Sequence, residues 1–262
     1  MILCLDIGNS HIFGGVFRDD ALQCSFRYPA TTPVTSDQFG LFLKGVIREN
    51  ALDPSHIDDI AISSVVPSLE YSVNAACIKY FSITPLQLKP GIKTGIKLKI
   101  KNTHEIGADR IANAIAAVAH FPHKNVMIID FGTATTVCAI NANKEYLGGA
   151  IMPGIKISMD ALHTHAARLA PVDIVIPTEV IGTTTESNIQ SGLYYSQLGG
   201  VSMMIEQTCQ TLFNKDKPII IATGGYAHLF QNTPLFDVMI PDLALQGLRI
   251  MIKTHHVQRM NA

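Results

Sequence analysis

Two stretches of the chain share one pattern of apolar and polar positions. Residues 2–17 read ILCLDIGNSHIFGGVF and residues 127–140 read MIIDFGTATTVCAI. Each is an apolar run ending in Asp, one further apolar residue, Gly, a few small hydroxyl or amide residues, and a second apolar run. That order predicts a strand, a glycine-containing turn and a second strand. Asp6 and Gly8 correspond to Asp130 and Gly132, 124 residues further on, so two homologous halves are expected.

Around these hairpins the period of the pattern switches between strand and helix. In the first half, Leu22–Tyr28 is expected to add a third strand. Phe39, Leu43, Val46 and Ile47 give residues 36–50 a helical spacing. The continuous apolar run of 60–66 reads as a buried strand, and Pro67 with Ser68 opens a helix to about Tyr80. Residues 108–121 form another helix. In the second half, strands are expected at 127–130, 135–140 and 146–151, and helices at 155–169, 188–213 and 243–256. IIIATGGYA at 219–227 is a buried strand entering a glycine turn. Strands separated by amphipathic helices define an α/β protein. The expected domains are 1–121 and 122–262, tightly packed about a cleft because no Pro/Gly/Ser-rich linker divides them.

Composition narrows the functional classes. The chain has 262 residues, 47% hydrophobic and 16% charged, with a formal net charge of -1. That supplies a core and excludes a disordered chain. It gives no overall positive field to hold a polyanion, so nucleic acid is not the expected partner. The five cysteines never form a C-x-x-C pair and mostly sit in apolar runs. They read as buried thiols in a reducing compartment rather than metal ligands. MILCLDIGNS has no basic residue ahead of its short apolar run, which fits a first strand and not a signal peptide. No apolar stretch approaches the roughly 18 residues of a membrane span. A cytoplasmic location with no membrane partner is the expectation.

The candidate chemistry lies in the two D-x-G turns. Each offers backbone N–H groups and short polar side chains near one point, and glycine lets the backbone approach a phosphate closely. The Asp itself would repel phosphate, so it is expected to hold a cation, directly or through water. Two such turns facing one another suggest a metal–nucleotide site. Neither a Walker A motif nor G-x-G-x-x-G is present, which sets aside P-loop and dinucleotide readings.

A duplicated strand–Asp–Gly unit with a late glycine turn resembles the actin, Hsp70 and sugar kinase superfamily, in which ATP lies between two ribonuclease H-like domains. Within it, DIGNS at 6–10, GADRIANA at 107–114, DFGTATT at 130–136, GGAIMPGI at 148–155, QSG at 190–192 and ATGG at 222–225 resemble type III pantothenate kinases over essentially the whole chain. The resemblance implies that residues 6–13 form a first phosphate loop, with Asp6 near Mg2+, Asn9 and Ser10 near the phosphates, and Gly8, His11 and Phe13 in the same loop. It implies that Asp130 binds a monovalent cation, K+ or NH4+, that Gly132 and Thr133 contact ATP, and that Gly224 and Gly225 leave room for adenosine. It further implies that Gly107, Ala108, Asp109 and Arg110 hold pantothenate with Asp109 as catalytic base. Thr185 would contact substrate across a homodimer interface near the active site.

Read from the residues alone, Asp109 is equally an N-cap for the helix that follows. A carboxylate at a helix start keeps a low pKa, which suffices for a late proton transfer in a loose phosphoryl-transfer transition state. Arg110 could pair with a carboxylate or lie solvated at the surface. The family commonly places a tyrosine seven residues before Gly107, where this chain has Ile100. An apolar substrate contact survives there, whereas a phenolic hydrogen bond does not. Lys97, Lys99 and Lys101 alternate with Leu98 and Ile100 as a strand with one solvated face. His163 and His165, two apart on a helix, make a poor metal pair. Two rivals remain open: a phosphatase or exopolyphosphatase on the same scaffold, and a non-catalytic regulator.

Overall fold

The computed structural model describes residues 1–166, 169–214 and 216–260, with side chains to residue 257. The expected extension of a helix from Ile155 to Leu169 therefore runs partly outside the described residues. The chain divides into two compact units. The first comprises Met1–Ile96, Lys101–Ala116 and the chain from Leu243 onward, and the second Lys97–Ile100 and Ala117–Asp242.

In the first unit, β1 (Ile2–Ile7), β2 (His11–Arg18), β3 (Ala21–Pro29), β4 (Asp59–Ser64) and β5 (Leu86–Gln87) form one sheet in the order β3-β2-β1-β4-β5. β1 runs antiparallel to β2 and parallel to β4. The run ILCL is unbroken because β1 is buried on both faces. Leu3, Leu5 and Ile7 pack on α1 (Ser36–Glu49) and α2 (Pro67–Phe81). Cys4, with Ala61 of β4, instead meets Ala112 and Ile115 of α3 (Ala108–His120) and Leu245, Leu248 and Met251 of α6 (Leu243–Met260). α1 starts where Thr35 and Gln38 form a capping box, and Pro67 occupies the first turn of α2.

In the second unit the sheet order is β11-β10-β7-β8-β9-β6. These strands are β6 (Lys97–Leu98), β7 (Val126–Phe131), β8 (Ala134–Ile140), β9 (Glu145–Pro153), β10 (Ile219–Thr223) and β11 (Val238–Met239). Apart from β6, the order repeats that of the first unit, with β7 in the place of β1 and β10 in the place of β4. β7 is antiparallel to β8 and parallel to β10. The duplication read from Asp6 and Asp130 is therefore a duplication of topology. Met127, Ile129, Phe131 and Val137 pack against α4 (Ile155–His165) and the inner side of α5 (Thr185–Thr211).

Three expectations change. The break expected after Phe121 is not where packing divides the chain: α6 belongs to the first unit, whose second sheet face its leucines cover. Residues 97–100 go with the second unit because β6 pairs with the start of β9. α5 starts three residues before Asn188, since Thr184 and Ser187 cap it reciprocally. Four cysteines are buried as expected, Cys4, Cys24, Cys77 and Cys138, whereas Cys209 is only half-buried. Burial pushes the Cys77 thiol up to about 12, which leaves it protonated and inert. No helix among the described residues is long and apolar enough to cross a membrane.

α6 approaches α3 so closely that a Cβ on Gly247 would lie 1.9 Å from the Ala112 carbonyl oxygen. Backbone cannot yield as a side chain can, so Gly247→Ala is expected to cost about 1–3 kcal/mol of stability. Gly45→Ala in α1, where a Cβ meets nothing within 4 Å, is expected to add up to about 1 kcal/mol. Equilibrium urea unfolding of the two variants checks both signs.

Candidate active site

Asp6 is the penultimate residue of β1, half-buried, and stands in register with Ser63 of β4. The Ser63 hydroxyl donates a 2.6 Å hydrogen bond to Asp6 Oδ1. The turn that follows is closed by the Gly8 N–H donating to the His11 carbonyl at 3.1 Å, and the Ala30 N–H donates to the Ser10 carbonyl at 3.0 Å. Asn9 and His11 are exposed at this turn. Phe13 is different in kind: it pairs with Asp6 across the hairpin and packs into the core, with the Arg27 guanidinium 4.5 Å above its ring.

Asp109 reaches the same end of this sheet. Val65, just past β4, donates its N–H to the Ile7 carbonyl at 3.0 Å. A Cβ on Gly107 would lie 3.3 Å from Val65 Cγ1 and only 2.3 Å from Asp109 Oδ1. The missing side chain of Gly107 thus makes room for the carboxylate. Asp109 is not the N-cap. Helix α3 begins at Ala108, so Asp109 lies within the first turn, and its Oδ1 accepts the Arg110 N–H at 2.8 Å. A carboxylate there is favoured by the N–H groups and dipole of the helix start. Arg110 directs Nη2 to the Glu105 carbonyl at 3.5 Å. Parallel strands deliver ligands to their carboxyl ends, and Asp6 and Asp109 both stand there.

The second unit gathers its own glycines around Asp130. The Gly132 N–H donates to the Ala134 carbonyl at 3.1 Å, closing the turn after β7. Gly224, with φ +94°, follows β10, and a Cβ on it would sit 2.4 Å from Asp130 Oδ1 and 2.7 Å from the Phe131 backbone. A Cβ on Gly154 would sit 2.2 Å from the Thr133 carbonyl oxygen. Three motifs far apart in sequence therefore meet at the carboxyl ends of β7 and β10. Gly225 has open space where a side chain would stand.

Two buried polar residues at these sites escaped the sequence reading. Ser63 lies inside the mostly apolar run of residues 60–66. Gln197 of α5, 7% exposed, accepts from Thr135 Oγ1 at 2.8 Å and donates to the Pro153 carbonyl at 2.7 Å. It fastens the Asp130 turn to the Pro153–Gly154 segment. The signal was available, because Gln197 interrupts an apolar series spaced by four, Ile189, Leu193, Val201 and Ile205.

Thr185 and Ile100 are not drawn into the Asp130 cluster. Thr185 is exposed at the start of α5 and lines a cavity of about 520 Å³ between α4 and α5 with Ser158, Leu162, Asn188 and Leu193. Ile100, half-buried, follows edge strand β6, while Lys97, Lys99 and Lys101 are exposed as alternation predicted. Among the described residues no three His, Cys, Asp or Glu form a closed metal cage. Nucleotide-bound Mg2+ needs none, since one or two carboxylates, phosphate oxygens and water complete its octahedron. The hard, oriented oxygens of Asp6 fit that role.

Sheet order and turn chemistry define a class. The chain has the actin/Hsp70/sugar kinase ATPase fold, and solved structures agree on the architecture alone. A Campylobacter jejuni chain described as a conserved Baf-family transcriptional activator superposes with a TM-score of 0.60 at 21% identity, covering 97% of this chain and 98% of that one. A Sinorhizobium meliloti 2-dehydro-3-deoxygalactonokinase-type protein gives 0.55 at 13% identity, covering 97% and 96%. Sequence similarity is narrower. The type III pantothenate kinase family model matches residues 2–207, and a type III pantothenate kinase 1 of Francisella tularensis subsp. holarctica is 55% identical over 96% of this chain and 98% of its own. This chain belongs to the type III pantothenate kinase family.

Gly224 combines a left-handed backbone with backbone contact, so Gly224→Ala is expected to cost about 1–3 kcal/mol. Gly225→Ala, one position on, should unfold within about 0.5 kcal/mol of the parent. Thermal unfolding of the pair checks the contrast.

Proposed function

We propose that this chain transfers the γ-phosphoryl group of ATP to the primary hydroxyl of pantothenate, giving 4′-phosphopantothenate and opening coenzyme A synthesis. The observation that carries the reading is the placement of Asp6 and Asp109 at one end of one parallel strand pair, with Gly107 clearing space for the second carboxylate. Membership of the family supplies the substrate class.

In this reading the first turn, from Gly8 to His11, receives the phosphates, with Asn9 and Ser10 as polar contacts. Asp6 would hold Mg2+, which when bound neutralises charge on the β- and γ-phosphates. Asp130 would hold K+ or NH4+, Gly132 and Thr133 would line the nucleotide, and Gly224 and Gly225 would leave a flat wall for adenosine. Ala108 and Arg110 would flank pantothenate, the latter as the cation for its carboxylate. Asp109 accepts the proton of the attacking hydroxyl. Its oxygen already accepts one helix N–H, which fixes its direction. In a loose transition state the proton leaves late, so alignment dominates.

A homodimer completes the proposal. Ile151 of β9, Leu162 of α4 and Met203 of α5 are exposed large apolar residues, as are Val180 and Ile181 ahead of α5. Exposed apolar side chains of that kind favour association, and Thr185, which lines a cavity with Leu162, would contribute to a neighbouring subunit. Ile100 would offer pantothenate an apolar contact only. The hydrolase and regulator alternatives give no reason for Gly107 to be cleared for Asp109.

Purified protein with ATP, Mg2+ and K+ should consume ATP only when pantothenate is added. Acceptor-independent phosphate release would instead favour the hydrolase. Asp109→Asn is expected to lower kcat by about 10²–10⁴-fold while leaving ATP affinity largely intact; turnover at the parent rate would remove Asp109 from its role.

A further inference from the structure

We infer that Ser63 is a positioning residue for Asp6, and through it for the divalent cation that accompanies bound ATP. The inference deepens the kinase function proposed above and rests on it. Ser63 is fully buried, at 0% exposure, yet its hydroxyl turns to a carboxylate. The 2.6 Å contact has the length of a charge-assisted O–H···O⁻ bond.

The geometry is set by the sheet rather than by a loop. Asp6 and Ser63 are register partners on parallel strands, one residue from the end of each. Both strands are packed on their two faces, so neither backbone can shift to release the bond. Holding Oδ1 fixes the plane of the carboxylate and hence the direction of Oδ2. Groups that orient a metal-facing carboxylate in this way matter nearly as much as the carboxylate.

The duplicated unit supplies a second, independent observation. In the second sheet the register partner of Asp130 is Thr223 of β10, 3% exposed. A buried hydroxyl-bearing residue therefore stands beside the turn carboxylate in both units. β4 and β10 otherwise carry Asp59, Ile60, Ala61 and Ile62 against Ile219, Ile220, Ile221 and Ala222, and β4 runs one residue further to Ser64. Among the positions that correspond in the two strands, a hydroxyl stands in both only opposite the Asp.

The test measures ATP affinity of the intact protein by calorimetry, with Mg2+ and with Mg2+ removed by a chelator. The ratio of the two affinities reports the metal's contribution. Ser63→Ala is expected to shrink that ratio by about ten-fold, the loss of one hydrogen bond to a charged group, with metal-free affinity unchanged. The KM for pantothenate should also stay unchanged while kcat falls. Ser63→Thr, which keeps the hydroxyl, should restore the ratio, and Ser63→Cys, nearly isosteric with a weak donor, should behave as Ala does. Should Ser63→Ala fail to fold, Ser63→Cys carries the comparison. A ratio unchanged in the variants, or absent in the parent, overturns the inference. Because this readout needs no pantothenate, a parent that binds Mg2+-dependent ATP but leaves pantothenate unmodified would sink the acceptor assignment and not the role of Ser63.

Discussion

Each candidate turn depends on a strand that is apolar on both faces and ends in a carboxylate. β1 buries Leu3 and Leu5 on one side and Cys4 on the other, and β7 is buried along most of its length. A strand gripped from two sides cannot slip by one residue, since a slip would exchange its faces. Asp6 and Asp130 are then held at the sheet ends with the rigidity of the core. A carboxylate carried on a flexible loop would pay ordering entropy each time it met a ligand. Here that entropy is lost once, on folding.

Around the carboxylates, glycine does the work that side chains do elsewhere in the fold. Gly107 yields space to Asp109, Gly224 to Asp130, and Gly154 to the Thr133 carbonyl. In each case the neighbour is a polar oxygen or backbone, which cannot rearrange without losing hydrogen bonds. Gln197 and Ser63 then supply fixed hydrogen bonds behind the turns. Close backbone approach and buried polar ties make each turn, within its own unit, preorganised instead of adaptive.

Some of this was legible in the sequence, and the reasons differ by residue. The correspondence of Asp6 to Asp130 could be read because two strand–turn–strand patterns recur, and the sheets do repeat one strand order. The helix over Phe39, Leu43 and Ile47 was legible from its period, and all three are buried. Ser63 was not legible, because one hydroxyl in a strand says nothing about which carboxylate lies alongside; that depends on parallel pairing across 57 residues. Asp109 as an N-cap was a reasonable inference from local sequence, yet the helix starts one residue earlier. Cap position turns on backbone dihedrals that one sequence does not specify. Assigning α6 to the second half failed for a similar reason, since sequence adjacency does not reveal which sheet face remains uncovered.

Cys4 and Ala61 lie on a sheet face closed by Leu245, Leu248 and Met251. Asp20, at the β2–β3 turn, receives Arg249 and, at 2.6 Å, Lys253 of α6. The first unit is thus discontinuous, built from both ends of the chain. Contacts of such sequence separation slow folding, because the closure entropy is spent before the contacts form. During synthesis this face of the β1–β4 sheet has α3 against it but stays partly open until α6 arrives. Cys4, Ala61 and Phe17 on that face are small or sit under α6 in the finished fold, and α1 and α2 already cover the other. The strand that carries Asp6 is therefore held on both faces in full only once α6 has docked.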